Sequence, residues 1–121
     1  MNPYEAAKAE PNFWLSCLLI DEKAMCPQER GDLEARYEGQ SGKSCPTEII
    51  EALARYNAEA RPIWKPMHLQ PVFRDKAFVS AGPGEDVGAD IFRRGLCLPS
   101  DNKLTADRQE RIMEIVRACF A

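Results

Sequence analysis

Arg61-Pro62-Ile63-Trp64-Lys65-Pro66-Met67-His68-Leu69-Gln70-Pro71-Val72-Phe73 holds three prolines, a tryptophan and the chain's single histidine within thirteen residues. Each proline fixes its own φ, removes a backbone donor and drives the residue before it toward extended geometry. The spacing therefore predicts a stiff, non-helical ribbon from which Trp64, Lys65 and His68 project at defined positions. Upstream of the ribbon, Pro46-Thr47-Glu48 reads as a helix first turn. Ile49, Ile50, Leu53 and Ala54 then set one apolar stripe at helical spacing as far as Asn57.

Downstream, residues 86–94 read as a shorter helix with Val87 and Ile91 one turn apart and Gly95 as its stop. Leu96-Cys97-Leu98 follows as a brief strand ended by Pro99. Thr105 then caps a last helix whose Ile112, Val116 and Cys119 share a face. Near the start of the chain, Phe13-Trp14-Leu15-Ser16-Cys17-Leu18-Leu19-Ile20 is a continuous apolar run of strand length. Such a run predicts a central strand covered on both faces. Residues 22–45 turn polar and include Gly31, Gly39 and Gly42, so a surface loop or short helix is expected there, flexible relative to the rest. Residues 1–12, with Pro3 and Pro11, read as an irregular lead-in. Strands alternating with helices place the domain at 13–121 in the mixed α/β class, a short sheet with helices packed on it.

Composition narrows the function. A chain of 121 residues makes one domain with a limited core. A net charge of −3 and a pI near 5.2 do not supply the clustered cations of a nucleic-acid or membrane-surface footprint. No apolar run reaches membrane-spanning length, and no basic region precedes a hydrophobic one at the start. A cytoplasmic protein with a small-molecule or protein partner is expected. The five cysteines, Cys17, Cys26, Cys45, Cys97 and Cys119, form no Cys-x-x-Cys pair, so no structural metal is expected. Cys17, Cys97 and Cys119 read as small buried hydrophobes of a reducing compartment. Gly42-Lys43-Ser44 imitates the end of a phosphate-binding loop, but Tyr37 stands where its first glycine is required. Cys45-Pro46 then interrupts the run of amides that would cradle phosphate.

The block from Glu59 to Phe73 closely resembles a signature of the DegT/DnrJ/EryC1/StrS aminotransferases. Further blocks agree in order: Asn12-Phe13-Trp14-Leu15, the helix after Pro46, Ile91-Phe92-Arg93-Arg94-Gly95-Leu96-Cys97-Leu98-Pro99-Ser100, and Leu104-Thr105. The resemblance is to the carboxy-terminal part of that family. It implies the small C-terminal lobe of a fold-type I, aspartate-aminotransferase-like enzyme, with residues 1–12 leading in from a larger domain. It also implies an activity for the parent: transfer of an amino group from an amino acid, with glutamate as the expected donor, to a keto-sugar nucleotide through pyridoxal 5'-phosphate. Amino-sugar and surface-glycan biosynthesis is the implied setting, with a homodimeric parent.

In the family a lysine of the larger lobe carries the cofactor as a Schiff base. Lys8, Lys23, Lys43, Lys76 and Lys103 sit in polar segments with nothing to desolvate them, and Lys65 lies between prolines in the wrong context. The chain alone is therefore expected to bind no cofactor, to hold no catalytic residue and to be inactive.

What remains for this lobe is substrate binding. The resemblance implies that His68 faces the sugar or nucleotide, although Leu69 follows it where some members carry tyrosine; the bland alternative is a histidine bonded to backbone. Trp64 either stacks on a sugar or base face or anchors packing. Arg61 either engages a carboxylate or phosphate or pairs with Glu59. Lys65 completes the set. Two readings from other classes stand beside this one. One is a stand-alone small-molecule or protein binding module without catalysis. The other is a purely structural lobe in which His68 and Trp64 are both buried.

Overall fold

The computed structural model describes residues 12–79, 84 and 86–121; the lead-in expected at residues 1–12 lies outside them apart from Asn12. In chain order the elements are β1 (Ser16–Leu19), a 3-10 turn (Glu22–Ala24), β2 (Gln28–Arg30), β3 (Ala35–Tyr37), α1 (Pro46–Arg55) and β4 (Arg61–Pro62). Two 3-10 turns (Met67–Leu69 and Pro71–Phe73), α2 (Val87–Arg94), β5 (Gly95–Leu98) and α3 (Ala106–Ala118) complete the chain. The class is mixed α/β.

The helices begin where local chemistry dictates. Pro46 opens α1, where its missing N–H costs no hydrogen bond. The Asp86 carboxylate caps α2 by accepting from the Ala89 N–H at 3.0 Å, and the Thr105 hydroxyl caps α3 by accepting from Arg108. Helices α1 and α3 pack against each other and on one face of the sheet. Ile49 and Leu53 of α1, with Ile112 and Ile115 of α3, close over Leu96, Ile20 and Ala60. On the α1 stripe Ala54 is exposed and Ala52 packs in its place. Val87, expected on the apolar side of α2, is also exposed.

The main sheet has the order β1-β5-β4, antiparallel throughout. This overturns the expectation that residues 13–20 form the central strand. Among the described residues β1 is an edge strand, paired only with β5, and Leu18 and Leu19 are partly exposed. The centre is β5, the brief strand, whose Gly95, Leu96 and Cys97 are buried. Nor is the run at 13–20 covered on both faces: Phe13, Trp14, Leu18 and Leu19 are all exposed, so apolar content fixed neither the burial nor the rank of this strand.

Gly95 ends α2 where expected, but with a different geometry. It starts β5 at φ −104°, in extended backbone, so it does not stop α2 as a left-handed cap. A Cβ there would lie 2.5 Å from the Ile91 carbonyl oxygen and 2.7 Å from Ile63 Cγ1, so glycine is needed for close approach.

The segment 22–45 is also not a loop or a short helix alone. β2 and β3 form an antiparallel hairpin, Gln28 opposite Tyr37 and Arg30 opposite Ala35. Side chains moor it to the rest of the molecule. Gln28 donates to the Arg93 carbonyl at 2.6 Å and accepts from the Thr47 hydroxyl at 2.9 Å. Arg30 donates to the Phe92 carbonyl at 2.5 Å and stacks over the Phe92 ring. At the hairpin base Cys26, Ser44 and Cys45 are buried. Burial pushes the Cys26 thiol up to about 12, with Cys45 and then Glu48 adding to the effect.

Candidate functional site

Successive residues of a strand point to opposite faces. The Leu96 and Ile20 face of the sheet is filled by α1 and α3. Cys97 therefore points to the other face, and its register partners on either side are Cys17 in β1 and Arg61 in β4. On that outer face the proline-rich ribbon leaves β4 and runs past the start of β1, so residues distant in sequence meet.

They line a groove of about 800 Å³. Trp14 and Trp64 flank it with ring centroids 5.7 Å apart and planes tilted by 41°, and at 66% and 62% exposure both keep faces open to solvent. Arg61 and Lys65 bring the cations, Phe92 an apolar wall, and Ser100 a hydroxyl. A second cavity of about 620 Å³, between β1 and α3, is lined by none of the four site candidates Arg61, Trp64, Lys65 and His68.

The four sequence candidates separate into three on the groove and one away from it. Trp64 is exposed on the groove. Arg61 also lines it, and its guanidinium engages Glu59, donating from Nε at 2.8 Å and from Nη2 to the same oxygen; the Glu59 pairing named as an alternative is thus present. Lys65 reaches across to the hairpin turn and donates to Asp32 at 2.6 Å, while Arg74 donates to the other carboxylate oxygen at 2.9 Å. The hydrogen bond from Lys65, with Arg74 beside it, pulls the Asp32 carboxyl below the usual range. The hairpin missed in the sequence is therefore what fixes the Lys65 ammonium.

His68 stands outside the groove lining. The ribbon is not wholly non-helical: after Pro66 it folds into two 3-10 turns, and His68 lies in the first. Its ring stacks on Phe78 with centroids 3.9 Å apart and planes at 26°. Buried Nε2 faces Asp86 Oδ2 at close range, without the alignment of a hydrogen bond. Asp86 caps α2 with its other oxygen, so His68 links the ribbon to that helix.

Sequence reasoning missed Trp14, Phe92, Cys97 and Ser100 as groove residues. For Trp14 the sequence offered only a large aromatic at the head of an apolar run, which did not set it apart from its neighbours. The others depend on tertiary placement. Among the described residues no three His, Cys, Asp or Glu side chains gather at metal-binding range, and no helix is long and apolar enough to cross a membrane.

Comparison with known proteins adds two findings. The model of the DegT/DnrJ/EryC1/StrS aminotransferase family matches residues 34–117. Over 116 residues, 96% of the chain, the sequence is 44% identical to a Bacillus subtilis (strain 168) protein carrying the provisional name pyridoxal phosphate-dependent aminotransferase EpsN. The match covers 25% of that relative, so the chain spans about a quarter of its length.

Proposed function

Because the chain belongs to the DegT/DnrJ/EryC1/StrS aminotransferase family, we propose that it is the small C-terminal lobe of a fold-type I, pyridoxal-phosphate-dependent aminotransferase. The parent passes an amino group from an amino acid, glutamate, to a keto-sugar nucleotide for amino-sugar biosynthesis. It works as a homodimer in which this lobe closes one side of the substrate site. The reaction class is supported by the family and by the relative's name.

The observation that carries the substrate class is the groove, where two open tryptophan faces stand beside two cations. A sugar nucleotide presents flat base and sugar faces for stacking and a diphosphate for Arg61 and Lys65. Both cations already have carboxylate partners, Glu59 and Asp32, which orient them and which an incoming phosphate would displace or share. His68 acts in this reading as a positioning residue that holds the ribbon to α2, because its ring is packed on Phe78 and directed at Asp86.

The described residues do not fit pyridoxal phosphate. Covalent attachment needs an unpaired amine in a desolvated cleft, whereas Lys65, the lysine on the groove, is held by Asp32. The cofactor, which supplies the carbonyl that carries the amino group between donor and acceptor, belongs to the remainder of the parent. No step is derived through it, and the chain by itself is expected not to transaminate.

Both tryptophans of the chain line the groove, so intrinsic fluorescence reports directly on it. Uridine or thymidine diphosphate should quench that fluorescence saturably. In the parent enzyme Trp64→Ala should raise KM for the keto-sugar nucleotide about tenfold, the loss of one stacking contact of about 1.4 kcal/mol, with kcat little changed. Unaltered KM together with unaltered quenching would remove the groove from the substrate site.

A further inference from the structure

Cys17 and Cys97 face each other across β1 and β5, with their sulfurs 3.6 Å apart and both thiols free. The register tells which kind of pair they form. The Ile20 N–H donates to the Arg94 carbonyl, so positions 20 and 94 are a hydrogen-bonded pair. Antiparallel pairs alternate. Two steps along the same register, Leu18 with Leu96 is hydrogen-bonded, and Cys17 with Cys97 falls on the intervening non-hydrogen-bonded site. At such sites the Cα atoms stand about 4.5 Å apart and the side chains are closest, which lies inside the roughly 4.4–6.8 Å span that a disulfide bridges. No shift of either strand is required to bring the sulfurs to bonding distance.

We infer that Cys17 and Cys97 form a covalent modification site, a cross-strand dithiol that small-molecule disulfides such as oxidised glutathione convert to an intramolecular disulfide on the groove face of the sheet. The two cysteines have different roles in the exchange because their surroundings differ. Cys17 is half-buried on the edge strand and meets the reagent first. Its thiolate attacks one sulfur of the reagent, the reagent's S–S bond breaks, and one small thiol leaves with the proton.

Cys97 is 5% exposed and lines the groove wall. Burial, with the neighbouring Cys17 thiol adding to it, pushes its own thiol up to about 11. It is thus a poor first nucleophile and serves as the resolving one, where contact with the Cys17 sulfur substitutes for a high thiolate fraction. Its attack breaks the mixed disulfide and forms the Cys17–Cys97 bond. The second small thiol is released, so the reagent's two-electron reduction balances the oxidation of the pair. The bond ties the edge strand to the central strand, next to Arg61 on the far side of Cys97. The inference rests on the sheet alone and is independent of the aminotransferase reading.

Incubation of the folded protein with oxidised glutathione, followed by unfolding in the presence of a maleimide, should lower the labelled thiols from five to three. Peptide mapping should return a Cys17–Cys97 link, and dithiothreitol should restore all five. Cys17→Ser, at the more exposed position, should keep its four remaining thiols through the same treatment. Cys97→Ser should instead hold glutathione on Cys17 as a lasting mixed disulfide. Retention of five thiols in the wild type, a persistent glutathione on its Cys17, a link through Cys26, Cys45 or Cys119, or loss of two thiols in Cys17→Ser would each overturn the assignment.

Discussion

β1 and β5 are of equal length, both mostly apolar, and paired residue for residue, yet one is exposed and the other forms the centre of the fold. β5 has a ladder on each side, α1 and α3 over one face, and α2 entering directly at its start. Among the described residues β1 has one neighbour, and the residue just after it is tied down by polar groups: Arg94 donates to the Ile20 carbonyl at 2.7 Å while Asp90 holds the same guanidinium. The difference teaches that rank within a sheet comes from what is packed around a strand. Apolar content is common to both.

The sharpest way to break this comparison is to truncate both strands at one cross-strand pair. Leu96 is fully buried, so Leu96→Ala should cost about 3 kcal/mol through lost transfer energy and the cavity left behind. Its partner Leu18 is 37% exposed, and Leu18→Ala should cost less than about 1 kcal/mol. Urea denaturation midpoints at constant slope measure both. Equal losses would mean that β1 is as central as its composition suggests.

Next in size is Gly95→Ala, which sharpens the role of the α2–β5 junction. The added methyl meets the Ile91 carbonyl and Ile63, and overpacking of this kind costs about 2 kcal/mol. That exceeds the gain from a stiffer unfolded chain, which is below about 1 kcal/mol. A melting temperature lowered by several degrees is expected; an unchanged or raised one would show that the junction opens freely.

The smallest effect concerns the polar tether of β1. Hydrogen bonds from Arg94, then Arg93, hold the Asp90 carboxyl down to about 2. A carboxyl depressed in the folded state stabilises above its ordinary value, near 4, and that contribution is lost as pH falls toward the folded value. Stability should therefore drop between about pH 4 and pH 2, by about 1 kcal/mol once solvent screening of this partly exposed cluster is allowed for. In Asp90→Asn this pH-dependent portion should vanish. A wild type and variant that stay parallel down to pH 2 would separate the tether from acid stability.

The helices were legible because their signals are local. Pro46, Asp86 and Thr105 each satisfy or spare the first-turn amides from within a few residues, and the stripes of α1 and α3 follow one period. The hairpin at 28–37 was not legible, because its strands are short and polar and are held by Gln28 and Arg30 reaching partners more than sixty residues away, at Arg93 and Phe92. The groove was half legible. Its ribbon side, Arg61, Trp64 and Lys65, announces itself through prolines and an aromatic, whereas Trp14, Phe92 and Cys97 join only when β1 and β5 pair. The placement of His68, packed on Phe78 and beside the Asp86 helix cap, came only with the fold, since both partners lie ten or more residues further along the chain.

By itself the sequence determined the mixed class, the starts of α1, α2 and α3, and the family, since these depend on backbone sterics, capping and residue order along the chain. Only the tertiary structure decided which strand is central, that Gly95 is needed for close approach, that Asp32 fixes Lys65, and that Cys17 meets Cys97. Each of those depends on atoms from segments far apart in sequence reaching contact distance, and short-range chemistry carries no information about which segments will meet.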